Sequence, residues 1–215
     1  KKAPLLILFI VSLFLVTKHP LENEITVLDM EQGRSVLLRD MTGKTILLDV
    51  GEKLAVEKKE AWQEKVITSN AKRSLIPYLK SRGVAKIDQL VLTTSQPKQL
   101  DHLLEISKSF NLGEILVTEE TLSKREFMDK LKESNLKVRP IKTGEQLFIF
   151  GSSLEVIENK NRDSKASIAM YGKLLNQTFL VTGNIEEKFL NKSYSKIQAD
   201  VVITHQQTSK KKTDV

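Results

Sequence analysis

Three patterns of apolar and polar residues follow one another along the chain, and each predicts a different element. Ala3–Val16 (APLLILFIVSLFLV) is an unbroken apolar run behind two lysines. A buried core helix would carry a polar stripe, which this run lacks. A signal-peptide core has this length, yet Thr17–Glu24 (TKHPLENE) contains no small-residue cleavage site. As a helix the run would span about 21 Å, short of the roughly 30 Å hydrocarbon core of a bilayer. The favoured reading is part of a membrane helix cut from a longer protein, residues 1–20 forming that helix and its linker. Lys1 and Lys2 then favour a cytoplasmic start and an exported body.

From Glu24 the pattern shortens. Ile25–Leu28, Ser35–Arg39 and Thr45–Asp49 are rich in aliphatic and β-branched residues, and Thr42-Gly43-Lys44 is a turn signal between the last two. Ala55–Val66, Ala71–Arg82 (stopped by Gly83), Asp101–Phe110 and Thr121–Asn135 follow helical spacing. Ile87–Thr93, Ile115–Thr118, Leu147–Phe150, Leu154–Ile157, Ser167–Tyr171, Thr178–Thr182 and Ala199–Thr204 read as strands. Strands interleaved with helices predict one layered α/β domain over residues 21–215. Trp62, the single tryptophan, is expected to pack a helix.

Composition narrows the chemistry. The 215 residues include no cysteine and three histidines, His19, His102 and His205. Disulfide frameworks, thiolate zinc sites and thiol nucleophiles are excluded, leaving His and carboxylates as the metal donors. No Ser-His-Asp constellation, P-loop or G-x-G-x-x-G pattern is present. The formal charge is +7, but residues 1–20 carry +3 of it and 206–215 carry +2. A body left with +2 is not a DNA-binding domain by composition alone.

Several segments recur together in an informative order: Asp29-Met-Glu-Gln-Gly-Arg-Ser35, Leu48-Asp-Val-Gly51, Leu75-Ile-Pro-Tyr-Leu-Lys-Ser-Arg-Gly83, Ile87-Asp-Gln-Leu-Val-Leu-Thr93, Asn176–Glu187 and Ala199–Thr208. Over about residues 22–209 this resembles the metallo-β-lactamase-like domain at the C-terminal end of ComEC-type competence proteins, the membrane channels that bring transforming DNA into bacteria. The resemblance implies an αββα sandwich, entered by a membrane helix. Because the chain stops soon after His205, it also implies that the last strands and helix of the sandwich are missing.

In that family a His-rich loop, T-H-x-D/H-x-D-H, holds divalent metal after the strand equivalent to Ile87–Thr93. Imidazoles and carboxylates converging on a cation lower the pKa of bound water. A gapless alignment puts Thr94, Gln96, Lys98 and Gln99 at the ligand positions, none of them an anionic or imidazole ligand. The family's T-G-D is Thr182-Gly183-Asn184, and its H-H-G-S is His205-Gln206-Gln207-Thr208. In the first motif Glu31 and Arg34 replace a glycine and an acid, while Asp29 remains. The nearby Asp101-His102 pair is read as the start of a helix, Asp101 as cap or first-turn acid and His102 as an exposed first-turn residue. His205 alone is read as a structural or surface histidine.

The resemblance therefore implies a fold kept without its chemistry: no cofactor, a pseudoenzyme within a membrane DNA-uptake channel, serving DNA guidance or a structural role. Its alternatives are a metal-dependent nuclease using Zn or Mn to degrade the non-transported strand, and a non-functional remnant or scaffold. The implied partners are the membrane, the channel portion of the same protein, single- or double-stranded DNA and other competence machinery. The implied place is the cell membrane of a bacterium, with the body on the outer face. Arg34, Lys98, Lys210, Lys211 and Lys212 would rim the former site and could hold phosphates by charge, although a solvated lysine tail is the plainer reading of the last three.

Overall fold

The computed structural model describes residues 3–18, 22–30, 33–51, 69–94, 97–132, 134–157, 167–174, 176–183 and 197–204. The apolar run forms α1, Ala3–Lys18, about 24 Å long at the α-helical rise. Its residues from Leu5 to Leu13 are largely exposed, between 51% and 76% for the large hydrophobics. No helix among the described residues is long and apolar enough to cross a membrane.

Six strands make the first sheet: β1 (Glu24–Asp29), β2 (Arg34–Arg39), β3 (Thr45–Leu48), β4 (Lys86–Val91), β5 (Asn111–Val117) and β6 (Val138–Pro140), lying side by side in chain order. The first three are antiparallel, and β3 to β6 are parallel. Val36-Leu37-Leu38 and Ile46-Leu47-Leu48 are buried on both faces, which is why these strands read as continuous apolar runs rather than alternating ones. Alternation decides only which layer each side chain enters. Leu37, Leu47, Ile115 and Val117 meet the helices, whereas Val36, Leu38, Ile46, Leu48 and Leu116 meet the second sheet.

The helical layer contains a π-helical turn, Ala71–Leu75, running into α2 (Ile76–Ser81), then α3 (Pro97–Ser107), α4 (Glu119–Ser123) and α5 (Arg125–Lys132). Leu75 and Leu79, Leu100, Leu103 and Ile106, and Phe127 and Leu131 supply its buried face. The stretch expected as one helix over Thr121–Asn135 is two. Thr118 caps α4 by accepting the Thr121 amide at 3.2 Å, and Lys124 adopts an extended conformation that separates α4 from α5. The expected helix over Ala55–Val66, with Trp62, lies outside the described residues.

The second sheet holds β7 (Gln146–Ile149), β8 (Ser152–Ile157), β9 (Ala169–Leu174), β10 (Gln177–Val181) and β11 (Val201–Ile203), again side by side in chain order. β7 to β10 are antiparallel and β11 joins β10 in parallel. Leu147, Ile149, Leu154, Val156, Met170, Phe179, Val181 and Ile203 face the first sheet. A smaller cluster of Ala169 and Leu180 with Tyr171 and Ile197 lies apart from that core. Among the described residues, helices, first sheet and second sheet make three of the four layers of the expected sandwich.

Candidate functional site

The parallel strands β3 and β4 end together, and the residues just beyond them form the polar centre of the molecule. Asp49 follows β3 with φ of 56°, a conformation that asparagine and aspartate tolerate better than other side-chain-bearing residues. Its carboxylate accepts the Thr93 amide at 2.8 Å, the Thr93 hydroxyl at 2.5 Å and the Gln99 side-chain amide at 3.3 Å. Its own carbonyl accepts the Ser35 hydroxyl at 2.8 Å. All of these groups are buried. The carboxylate therefore works as a knot that ties the ends of β3 and β4 to the first turns of α3.

Around this knot stand some of the positions that the resemblance assigns to metal ligands. Thr94 is buried and bridges to Ser167, just ahead of β9, so the second sheet meets the first here. Gln99 lies in the first turns of α3, its Nε2 spent on Asp49. Lys98 is the second residue of that helix. Gly183 follows β10 with φ of 41°, and a Cβ there would fall 2.6 Å from the Ser167 hydroxyl and 2.7 Å from the Ile168 carbonyl. Only glycine lets the chain leaving β10 lie this close to the segment that leads into β9. Gln96, Asn184, His205, Gln206, Lys210, Lys211 and Lys212 lie outside the described residues.

Two expectations at the Asp101-His102 pair are corrected. The helix starts at Pro97 rather than at Asp101, because proline suits the first helical position, where its missing N–H costs no bond. Asp101 is consequently the fifth helical residue and pairs with Lys130 of α5 at 3.2 Å. His102 is not exposed: it is 0% accessible, with Nδ1 3.0 Å from the Val50 carbonyl. A carbonyl only accepts, so Nδ1 carries a proton in this contact. The helix begins one turn earlier than the apolar spacing suggested, and His102 lies on its buried face.

Arg34, expected on the rim, starts β2 and donates from Nη1 to the carbonyl of Thr204, just past β11, at 2.7 Å. The cavity lined by Arg34, Val36, Asp49, Val181, Gly183, Ile203 and Thr204 measures about 10 Å³, about the room of one water. The described residues do not fit a divalent cation. Thr94 offers a hydroxyl, Gln99 an amide, and Asp49 a carboxylate already engaged by three donors, while a guanidinium lines the same cavity. No group of three or more His, Asp or Glu side chains that could hold a metal occurs among the described residues. The Thr94 hydroxyl, Gln99 Oε1 and His102 Nε2 are buried and find no hydrogen-bond partner among them either.

No family model matches the chain. It is 23% identical over 194 residues to ComE operon protein 3 of Bacillus subtilis (strain 168), a match covering 84% of this chain. The chain spans 25% of that protein's length. Among solved structures it is similar to Rm3 metallo-β-lactamase, with TM-score 0.58 and 11% identity over 86% of this chain and 76% of that one. A HARLDQ-motif mutant of the Cronobacter sakazakii metallo-β-lactamase superposes with TM-score 0.57 and 11% identity, over 86% and 81% of the two chains. The metallo-β-lactamase SMB-1 gives TM-score 0.57 and 12% identity over 87% and 81%. Fold and sequence similarity converge: the chain carries a metallo-β-lactamase-like domain of the kind found in ComEC-type competence proteins.

Proposed function

We propose that this domain is a non-catalytic part of a membrane DNA-uptake channel for natural transformation, guiding incoming DNA or holding the channel's shape. The observation that carries the proposal is Arg34. Its guanidinium donates to the Thr204 carbonyl and lines the same small cavity as Asp49. A fixed positive charge there opposes the binding of a second cation, and the neutral side chains of Thr94 and Gln99 supply no anionic compensation. Similarity to ComE operon protein 3 supports the competence setting, and the apolar surface of α1 supports attachment to a membrane. In this reading α1 is part of a longer membrane segment.

Elemental analysis of the purified chain, with assays of Mn- and Zn-dependent DNA cleavage, tests the non-catalytic reading. Substoichiometric metal and no cleavage are expected. Stoichiometric metal, with cleavage abolished by His205→Ala, would overturn it and establish the nuclease instead. DNA guidance is tested by changing Arg34 and Lys98 together to Glu and measuring DNA affinity at two salt concentrations. Weaker binding and a shallower salt slope are expected; an unchanged affinity and slope would remove DNA from the proposal and leave the structural role.

A further inference from the structure

At the opposite end of the strands from Asp49, two turns and the point where the chain enters the domain come together. The β2–β3 turn carries Met41 and the β7–β8 turn carries Phe150, with Phe148 on edge strand β7 beside it. Their exposures are 45%, 60% and 58%. Phe148 points outward because its neighbours Leu147 and Ile149 are taken by the core. Asn23, one residue before β1, joins these pieces, donating to the Phe150 carbonyl at 2.7 Å and accepting the Met41 amide at 3.0 Å. Asp40 fixes them further, its carboxylate accepting the Phe150 amide at 2.8 Å and the Thr42 and Lys44 amides at 2.9 Å each. Lys44 Nζ donates to the Phe148 carbonyl. The apolar side chains are thus held on a rigid frame.

We infer that the Met41, Phe148 and Phe150 end of the sandwich rests in the interfacial layer of the lipid bilayer that receives α1, so that the Asp49 end points away from the membrane. This rests on the membrane reading of α1 proposed above. The argument for lipid as the occupant is continuity. Lys18 ends α1 and Asn23 is bonded into the patch only five residues later, a reach of no more than about 18 Å even when fully extended. A bilayer holding the exposed apolar surface of α1 is therefore within reach of Met41 and Phe150 without any rearrangement. β2 then sets the distance to the far end: six residues of strand place Arg34 and the Asp49 knot about 20 Å beyond the patch.

The chain contains no cysteine, so single labels can be placed cleanly. Leu8→Cys, Met41→Cys, Phe148→Cys, Phe150→Cys and Glu119→Cys, each carrying an environment-sensitive fluorophore, are reconstituted as the full chain with vesicles of phosphatidylcholine and phosphatidylglycerol, some containing spin-labelled quencher lipids. Met41, Phe148, Phe150 and Glu119 are exposed in the fold, and a thermal melt of each variant confirms that it keeps the wild-type transition. The expected result is a blue shift and lipid quenching at Leu8, Met41, Phe148 and Phe150, the last three at an interfacial depth of about 5–10 Å, with Glu119 remaining in water. A quenched Leu8 with water-like signals at Met41, Phe148 and Phe150 overturns the inference while leaving the membrane reading intact. A water-like Leu8 removes the membrane reading and the inference with it.

Discussion

Two aspartates, one at each end of the sandwich, make the most instructive pair in the molecule. Asp40 follows β2 and Asp49 follows β3; both are buried, and both spend their carboxylates on backbone amides and a threonine hydroxyl. Asp40 stitches one turn of the first sheet to one turn of the second. Asp49 stitches two strand ends and a helix of the first layer. A buried carboxylate at the centre of a hydrolase-like site therefore says little by itself, because an aspartate doing the same work stands where no chemistry is expected. The difference lies in what surrounds them. Beside Asp49 the Arg34 guanidinium lines a small cavity, whereas the groups around Asp40 are the amides of two turns.

The comparison can be broken by substitution. Asp49→Ala leaves three donors unsatisfied in the interior and is expected to cost about 3 kcal/mol or more, read as a lower urea midpoint at unchanged m. A loss near zero would mean that the knot is not structural. Asp40→Ala is expected to cost about 2 kcal/mol, since its donors lie closer to solvent and can recover water. Gly183→Ala combines a positive φ with contacts of 2.6 and 2.7 Å, and about 1–2 kcal/mol is expected from strain. Arg34→Ala, which frees one carbonyl at the margin of the same cavity, is expected to cost about 1 kcal/mol.

Acid sharpens the same contrast. Burial pushes the Asp40 carboxyl upward, but the bonds from the Thr42 side chain and the Phe150, Lys44 and Thr42 amides prevail and hold it below the ordinary carboxylate range. Its stabilising contribution is therefore complete above the unfolded value, near pH 4, and is lost as pH falls through the lower folded value. Asp40→Asn should flatten that part of the stability profile. Glu145 supplies a second acid-sensitive contact, its pKa lowered chiefly by the Arg139 side chain, so some acid dependence should survive in the variant. A variant as acid-sensitive as the wild type would remove Asp40 from the account.

Most of the sandwich was legible because burial on both faces leaves a coarse mark: Val36-Leu37-Leu38 and Ile46-Leu47-Leu48 can hardly be anything but central strands. β6 escaped, since Val138-Arg139-Pro140 carries one apolar residue and a proline that only an edge strand accepts. The division of α4 from α5 was written in Thr118-Glu119-Glu120-Thr121, a capping residue followed by first-turn acids, but longer periodic spacing masked it. At the site the hydroxyl of Thr94 and the amide of Gln99 could be read directly. The inward turn of His102 could not, because it depends on where α3 begins, and Pro97 was the neglected signal. Arg34 reaching Thr204 joins positions 170 residues apart, a pairing that no local pattern contains.

The side-by-side strand order of both sheets has a consequence for synthesis. Each strand from β1 to β6 finds its partner already made, so the first sheet can be complete once Pro140 has emerged from the ribosome. Its inner face, with Val36, Leu38, Ile46, Leu48, Val91 and Leu116, then waits for β7 to β10, which end at Val181. At ordinary translation speed those roughly 40 residues take about 2–8 s. For that interval the nascent chain presents an uncovered apolar sheet, and chaperone capture or aggregation competes with folding there.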